Sequence, residues 1–166
     1  MLEIPPLLDE EIAQFLQRGV SINVASSSSN GFPSVSRALG CRISTDRRKV
    51  VIFFSAECSS ALLADLHNEG AIAAVFSMPT THQTIQIKGR NVRFEPVEEN
   101  DLAILARYRR AFIAEIVATG QREALAASIV PESRADVVAV SFTPTSAFVQ
   151  TPGAAAGRPW QGRAWQ

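Results

Sequence analysis

Polar side chains recur at every second position of the segment 83–90. Thr84, Gln86, Lys88 and Arg90 alternate there with apolar residues, so in an extended strand all four lie on one face. A row of hydroxyl, amide and cationic groups could reach a ribose, a phosphate or the edge of a ring. We therefore expect this strand to help line a site for an anionic cofactor. A solvent-facing sheet surface shows the same pattern and is the alternative.

A second candidate is the segment 37–42, which has an arginine at each end. Arg37 shares the parity of the apolar residues of its strand, and an arginine on a buried face needs an anion or several acceptors. Arg42 falls on the other face unless Gly40 allows a bulge that brings both arginines to one side. An internal salt bridge of Arg37 is the alternative to a bound ligand.

A third candidate is the polar turn 55–60, which joins a buried strand to a helix. The hydroxyls of Ser55 and Ser60 and the unpaired N–H groups at the start of the helix could bind a phosphate. Serine is also an ordinary residue at the start of a helix, so a simple cap is the alternative.

The remaining chemistry-bearing residues form no cluster. His67 lies late in a helix and His82 in the loop before the polar strand, and two isolated histidines predict no metal site. No nucleophile–base pair stands out, so no catalytic residue is assigned. Cys41 and Cys58 are too few for a disulfide framework, which favours a reducing compartment.

Composition points to an ordinary globular domain. The chain has 166 residues, with sixteen basic and sixteen acidic side chains, and this balance predicts neither nucleic acid nor a membrane as partner. The N-terminus lacks the basic start and apolar run of a secretion signal, so we expect a cytoplasmic protein. A single domain over residues 1–152 and a loosely ordered tail over 153–166 are predicted.

The periodicity of apolar residues predicts many strands and few helices. A parity change between Ile87 and Val92 indicates a one-residue slip near Gly89, which a β-bulge would explain. Strands in hairpin order predict a closed or partly open barrel, mostly β with peripheral helices. The strands are expected at 20–24, 33–43, 50–54, 71–76, 83–94, 136–142 and 147–150, and the helices at about 8–18, 60–69, 101–119 and 123–129.

Taken together these segments resemble the FMN-binding split-barrel superfamily, in particular its pyridoxamine 5'-phosphate oxidase-like members. The resemblance spans about residues 8–151. It is carried by 37–42, by the strand–turn–helix segment 50–70, by the run Pro-Thr-Thr-His-Gln-Thr-Ile-Gln-Ile-Lys-Gly at 79–89, and by the closing segment 137–149 with its Thr-Pro-Thr.

The resemblance implies a six-stranded antiparallel Greek-key split barrel that forms a homodimer, with two FMN sites at the subunit interface. Backbone groups near Ala38 and Leu39 would face the isoalloxazine ring, and Phe54 or Trp160 could close over it. The side chains that match the family's cofactor contacts are Arg37 and Arg42 for the basic pair, Ser55 and Ser60 for the phosphate turn, and Gln83 and Thr84 for the flavin.

Departures from the family argue against pyridoxamine phosphate as the substrate. Ala61 and Leu62 stand where the oxidases have Arg-Lys, which removes charge-assisted hydrogen bonds worth roughly 1.5–3 kcal/mol each. The long helix lacks the residues that bind the substrate phosphate, and the tail has the sequence 157–160, Gly-Arg-Pro-Trp, in place of the family's ending.

Three functions are compatible with this pattern. The first is an FMN-dependent oxidoreductase acting on an unassigned small molecule, in which the flavin carries the electron chemistry. The second is a non-catalytic barrel that binds another flavin-like cofactor or haem, which the loss of cations at Ala61 and Leu62 favours. The third is a dimeric scaffold without a cofactor, in which Arg37 bridges subunits.

Overall fold

Four helices and seven strands make up the part of the chain that the structure, a computed structural model, describes, namely residues 7–132 and 136–160. The helices are α1 (Glu10–Leu16), α2 (Ser60–Glu69), α3 (Glu99–Ala118) and α4 (Glu123–Ile129). The strands are β1 (Ser21–Ser27), β2 (Pro33–Arg37), β3 (Gly40–Ile43), β4 (Val50–Ser55), β5 (Ile72–Ser77), β6 (Thr84–Glu95) and β7 (Val137–Val149).

All seven strands belong to one antiparallel sheet with the order β2-β1-β5-β6-β7-β4-β3. The two edge strands, β2 and β3, are consecutive in the chain and only Ala38 and Leu39 separate them. Ala38 donates its N–H to Ile22 O of β1 at 3.0 Å, and Leu39 donates its N–H to Phe53 O of β4 at 2.7 Å. Because one stretch of chain forms both edges, the sheet must curl into a barrel.

The expected mostly β barrel with peripheral helices is confirmed, but the number of strands is seven rather than six. The strand expected at 33–43 breaks at Ala38 and Leu39, where it passes from β1 to β4. Gly40 follows with φ +145°, a backbone conformation that side chains with a Cβ disfavour. The two closing strands expected at 136–142 and 147–150 are instead the single strand β7.

The β-bulge expected near Gly89 is confirmed by a register shift between Lys88 and Gly89. Lys88 pairs with Ser146 and Gly89 with Pro144, so the extra residue at this shift, Thr145, is on β7. A second shift follows between Arg90 and Arg93, and there the extra residue is on β6. Asn91, with φ 57°, lies within this second shift, which therefore produces the parity change seen in the sequence.

Aromatic side chains are buried on both faces of the sheet, because the consecutive residues Phe53 and Phe54 of β4 point to opposite sides, and three helices cover this core. Phe53, Phe54, Phe76 and Phe142 are at most 1% exposed, and burial of a large apolar side chain stabilises the fold by roughly 1.5–3 kcal/mol. The helices pack on this core through one face each. Their buried contacts are Ile12, Phe15 and Leu16 from α1, Leu62 and Leu66 from α2, and Leu105, Tyr108 and Phe112 from α3.

The beginning of the tail pairs with the end of β7. Trp160 donates its N–H to Ala147 O at 2.8 Å, and Phe148 forms an isolated antiparallel bridge with Pro159. The indole Nε1 of Trp160 donates to Asp9 Oδ2 at 3.0 Å. Residues 157–160 are therefore held against the barrel, whereas 161–166 of the tail lie outside the described residues.

None of the helices in the two described ranges is both long and apolar enough to cross a membrane.

Gly89 supplies a test of the bulge geometry. A Cβ at this position would lie 2.1 Å from Phe142 Cδ2 and 2.8 Å from Thr143 O. Gly89→Ala should therefore lower the free energy of unfolding by about 2–3 kcal/mol, as overpacking does in close-packed cores. Urea denaturation measures this. Arg93→Ala, an exposed change on the same strand, is the control and should stay within about 0.5 kcal/mol; a similar loss in both variants would contradict the packing argument.

Candidate functional site

Arg37 is a cation whose described partners are neutral. Its Nη1 donates to Ser21 Oγ at 2.9 Å, and its Cζ lies 5.6 Å from the centroid of the Phe112 ring. The side chain is half-buried, and no carboxylate among the described residues is within ion-pair distance of it. The described contacts of this half-buried guanidinium are a hydroxyl and a ring, and neither neutralises its positive charge. An external anion can therefore pair with it.

Arg42 differs from Arg37, because a carboxylate inside the subunit neutralises its charge. Its Nε donates to Asp101 Oδ1 at 2.7 Å, and its Nη2 lies 3.9 Å from Glu98 Oε1. Asp101 is 1% exposed and its Oδ2 also accepts the N–H of Glu98 at 3.0 Å. Asp101 thus joins β3 to the first turn of α3. The two arginines predicted as a pair therefore have separate partners.

The turn between β4 and α2 already contains a carboxylate. Ser55 Oγ donates to Asp136 Oδ2 at 2.5 Å, and the N–H of Glu57 approaches the same oxygen at 3.4 Å. These are two of the donors that the sequence assigns to a phosphate. Because like charges repel, a phosphate at this turn would meet the negative charge of Asp136.

The start of α2 keeps some of its donors. Ser59 occupies the residue before the helix but makes no side-chain cap; its hydroxyl lies 2.6 Å from Ser36 Oγ instead. Ser60 is exposed in the first turn. Side chains alternate along β2, so Ser36 and Arg37 lie on opposite faces of that strand. Within one subunit, the contacts made by Arg37 therefore do not join it to the turn around Ser55.

The turn before β6 presents one exposed and one enclosed polar side chain. Gln83 is half-exposed, and its Oε1 accepts only a long 3.5 Å hydrogen bond from Thr81 Oγ1. Thr84 is 8% exposed; its hydroxyl donates to His82 O at 2.9 Å and lies 2.7 Å from Ser77 Oγ. The amide of Gln83 is thus the group at this turn that is available to a ligand.

The two aromatic residues nominated to cover a ring are occupied by packing. Phe54 is 0% exposed in the barrel core, and the indole of Trp160 packs against the core with its Nε1 on Asp9. Phe54 therefore cannot stack on a ring from within its own subunit, whereas Trp160 stays partly exposed. Ala38 is also fully buried, while Leu39 is 8% exposed.

A cleft of about 280 Å³ lies beside Leu39, where α3 meets the end of α4. Its floor is apolar and its rim is charged, with Arg109 fixed by a 2.9 Å hydrogen bond from its Nε to Val130 O. No carboxylate among the described residues pairs with Arg109. The consecutive arginines at 109 and 110, on a helix with an apolar stripe, were the sequence signal for this cleft. The lining includes Leu39, Leu105, Val130, Arg109, Arg110 and Glu132.

Two buried titratable groups, Cys41 and Tyr108, are held neutral. Burial raises the pKa of the Cys41 thiol to about 12, and its Sγ donates to Leu16 O at 3.1 Å. Burial also raises the pKa of Tyr108, whose hydroxyl donates to Val20 O at 2.8 Å. Both stay protonated at neutral pH, so neither can act as a nucleophile or base there. Within 7–132 and 136–160, no three His, Cys, Asp or Glu side chains come together as a metal site.

Solved structures with the same architecture cover nearly the whole chain. An F420 reductase is 15% identical, with 84% of this chain and 98% of that chain covered and a TM-score of 0.54. HupZ of Group A Streptococcus is 15% identical, with coverages of 90% and 99% and a TM-score of 0.53. A putative pyridoxamine 5'-phosphate oxidase from Lactobacillus delbrueckii is 11% identical, with coverages of 89% and 97% and a TM-score of 0.53. This chain has the split-barrel fold.

No family model matches the chain, and no curated protein matches its sequence. The likeness to the solved structures agrees with the resemblance carried by the segments 37–42 and 79–89. At 11–15% identity it shows the split-barrel fold alone. One split-barrel fold can hold different sites, so the function must be argued from the residues themselves.

The ion pair between Arg42 and Asp101 can be tested by stability. Asp101→Ala should lower the free energy of unfolding by about 1–3 kcal/mol, because it leaves Arg42 without its buried partner. Glu99→Ala is the matched control: Glu99 is exposed in the same first turn of α3 and makes no ion pair with Arg42, so the change should be below about 0.5 kcal/mol. Equal losses, measured by urea denaturation, would show that this pair does not fasten α3 to β3.

Proposed function

We propose that this protein is a cytoplasmic homodimer that binds FMN, a flavin-type cofactor, at its subunit interface and uses it to oxidise or reduce a small substrate. Arg37 carries the proposal. A half-buried guanidinium without a carboxylate partner is costly unless a ligand supplies an anion. The phosphate of FMN is such an anion, and a guanidinium can donate two parallel hydrogen bonds to it.

Some of the predicted site residues fit FMN and others do not. This difference decides which residue is assigned to the phosphate of FMN. Arg37 fits a phosphate, whereas the turn at Ser55 holds the carboxylate of Asp136. Arg42 is neutralised by Asp101. The phosphate is therefore assigned to Arg37. The exposed Ser60 at the start of α2 is not assigned to it, because α2 contacts β2 through Ser36, on the face opposite Arg37.

A second subunit would complete the flavin site. Gln83 is half-exposed, with one long hydrogen bond inside its own subunit, and in the dimer it would reach the flavin that Arg37 of the other subunit holds. Large apolar side chains on and beside β2 are exposed as well, with Phe32 at 74% and Val35 at 68%. Exposed apolar groups of this size favour a protein–protein contact.

The cleft beside Leu39 is the proposed substrate site. A bound flavin supplies the electron transfer there, and the chain's own residues bind and orient the substrate. Arg109, whose Nε is fixed on Val130 O, leaves its terminal nitrogens for a carboxylate or phosphate of the substrate. Leu39, Leu105 and Val130 keep water from the apolar part. Leu39 lines the cleft, and its backbone is also proposed to face the flavin ring. It would therefore join the substrate site to the flavin site.

The fold of the neighbours supports this function without distinguishing it from a binding role. One neighbour is named as an F420 reductase and another as a putative pyridoxamine 5'-phosphate oxidase. A second candidate is a non-catalytic barrel for another flavin-like cofactor or haem, which the carboxylate of Asp136 in the phosphate turn favours. A visible spectrum of the purified protein separates them, because a Soret band would support haem.

Arg37→Ala should weaken FMN binding by about 10- to 150-fold, the equivalent of the 1.5–3 kcal/mol of a charge-assisted hydrogen bond. Quenching of flavin fluorescence on titration measures this. Lys49→Ala is the matched control and should bind FMN with unchanged affinity, because Lys49 is exposed and paired with Glu95. Equal effects of the two changes, or no FMN binding by the unmodified protein at about 1 mM, would overturn the assignment.

Light scattering tests the proposed dimer. The protein should have twice the 17.9 kDa mass of one chain, and replacing the exposed Val35 by Glu should shift it toward the monomer if β2 is in the interface. Phe94→Glu, another exposed apolar position at 43% but on β6 beyond the second register shift, is the control. A monomer at all concentrations would contradict a flavin site shared between subunits.

A further inference from the structure

A groove of about 450 Å³ crosses the outer face of β1, β5 and β6, away from the residues assigned to the flavin. Its floor follows one cross-strand row, in which Ala25 pairs with Ala73 and Ala73 with Lys88. The sheet surface is hollow here because alanine extends no further than its Cβ. Lys88 is four residues along β6 from Thr84, a distance of about 13 Å.

Two cations stand on one side of this groove. Lys88 and Arg90 both line it and both are exposed. The Nζ of Lys88 lies 5.3 Å from the centroid of the Phe148 ring, which restrains the ammonium group. No carboxylate in the described part of the chain pairs with either cation, and the groove lining contains no acidic residue.

Hydroxyl groups complete the polar part of the groove. Ser26 and Thr145 use theirs on the backbone, at Ala71 O and Lys88 O respectively. Ser27 and Ser146 also line the groove, and among the described residues their hydroxyls make no hydrogen bond. Two hydroxyls without a described hydrogen bond and two cations without a described carboxylate partner therefore lie at one hollow.

The backbone of β6 is irregular at this place. Register shifts lie on both sides of Arg90, and Gly89 between the two cations is buried against Phe142. Bulges aim side chains that a regular strand would leave evenly spaced, and they occur preferentially beside binding sites. The extra residue of the first shift is Thr145 on β7 and that of the second lies on β6, so β6 itself departs from regular pairing just after Arg90.

We propose that this groove binds a small phosphorylated molecule of about mononucleotide size, at a site separate from the flavin. The ammonium of Lys88 and the guanidinium of Arg90 would bind the phosphate, because both groups recognise it, one as a point charge and one as a fork. The alanine floor would contact the apolar body of the ligand. Its volume is within the usual range for small-molecule sites, roughly 300–1,000 Å³.

To test this, the full-length protein is titrated with AMP and, as its uncharged counterpart, with adenosine. Binding is measured by calorimetry and by amide chemical shifts in NMR spectra. AMP should bind with a dissociation constant below about 1 mM and shift the amides of Ala73 and Gly89, and adenosine should bind at least about tenfold more weakly. Lys88→Gln and Arg90→Gln should each weaken AMP about tenfold or more. Arg93→Gln, an exposed arginine beyond the second register shift, is the control and should leave AMP binding unchanged.

Several results would overturn the groove site. They are no AMP binding at about 5 mM, equal binding of adenosine, or unchanged binding in both groove variants. Arg37→Ala separates this proposal from the flavin site: loss of AMP in that variant alone would place AMP at Arg37 instead. If Lys88→Gln changed the mass measured by light scattering, the groove would be an interface between copies of the chain. Matching thermal midpoints confirm that the variants fold.

Discussion

The two backbone hydrogen bonds of the connector between β2 and β3 hold the molecule in its closed form. The N–H of Ala38 is bonded to Ile22 O of β1 and that of Leu39 to Phe53 O of β4. Two neighbouring residues therefore fasten the two ends of a seven-stranded sheet. The same step sets the candidate site, because Arg37 is the last residue before it and Leu39 opens onto the cleft beside α3. The crossing therefore brings the two edge strands, β2 and β3, close together at one end of the curled sheet.

The polar residues of the candidate site form two groups, those that contact a carboxylate inside the subunit and those that do not. Arg42 and the donors of the Ser55 turn are matched inside the subunit by Asp101 and Asp136, and such pairs join distant segments of the chain. Arg37 has only neutral partners. A half-buried cation that none of the described carboxylates approaches is a place where an external anion can replace lost hydration.

The sequence was a good guide to local structure and a poor one to partners. Alternation predicted the strands, and the parity change near Gly89 predicted the bulge, because both depend on neighbouring residues. The partner of Arg42 is 59 residues away and that of Ser55 is 81 residues away, and spacing holds no information about such contacts. For the same reason Arg37 and Arg42 were predicted as a pair although the break after Ala38 separates their surroundings.

The break also explains why the segment 33–43 was expected to form a single strand. Apolar residues at every second position predict a single strand. Only a residue type that is unusual in a strand indicates that the chain leaves one neighbouring strand and pairs with another. Gly40 was that signal: its φ of +145° lies where other residues are strained, and a Cβ there would lie 3.3 Å from Tyr108 Cγ. The glycine therefore serves two requirements at once, the direction of the chain at the barrel closure and the close approach of α3. The cleft beside Leu39 exists because α3 can pack that near, so the position of the proposed substrate site depends on a residue that never touches it.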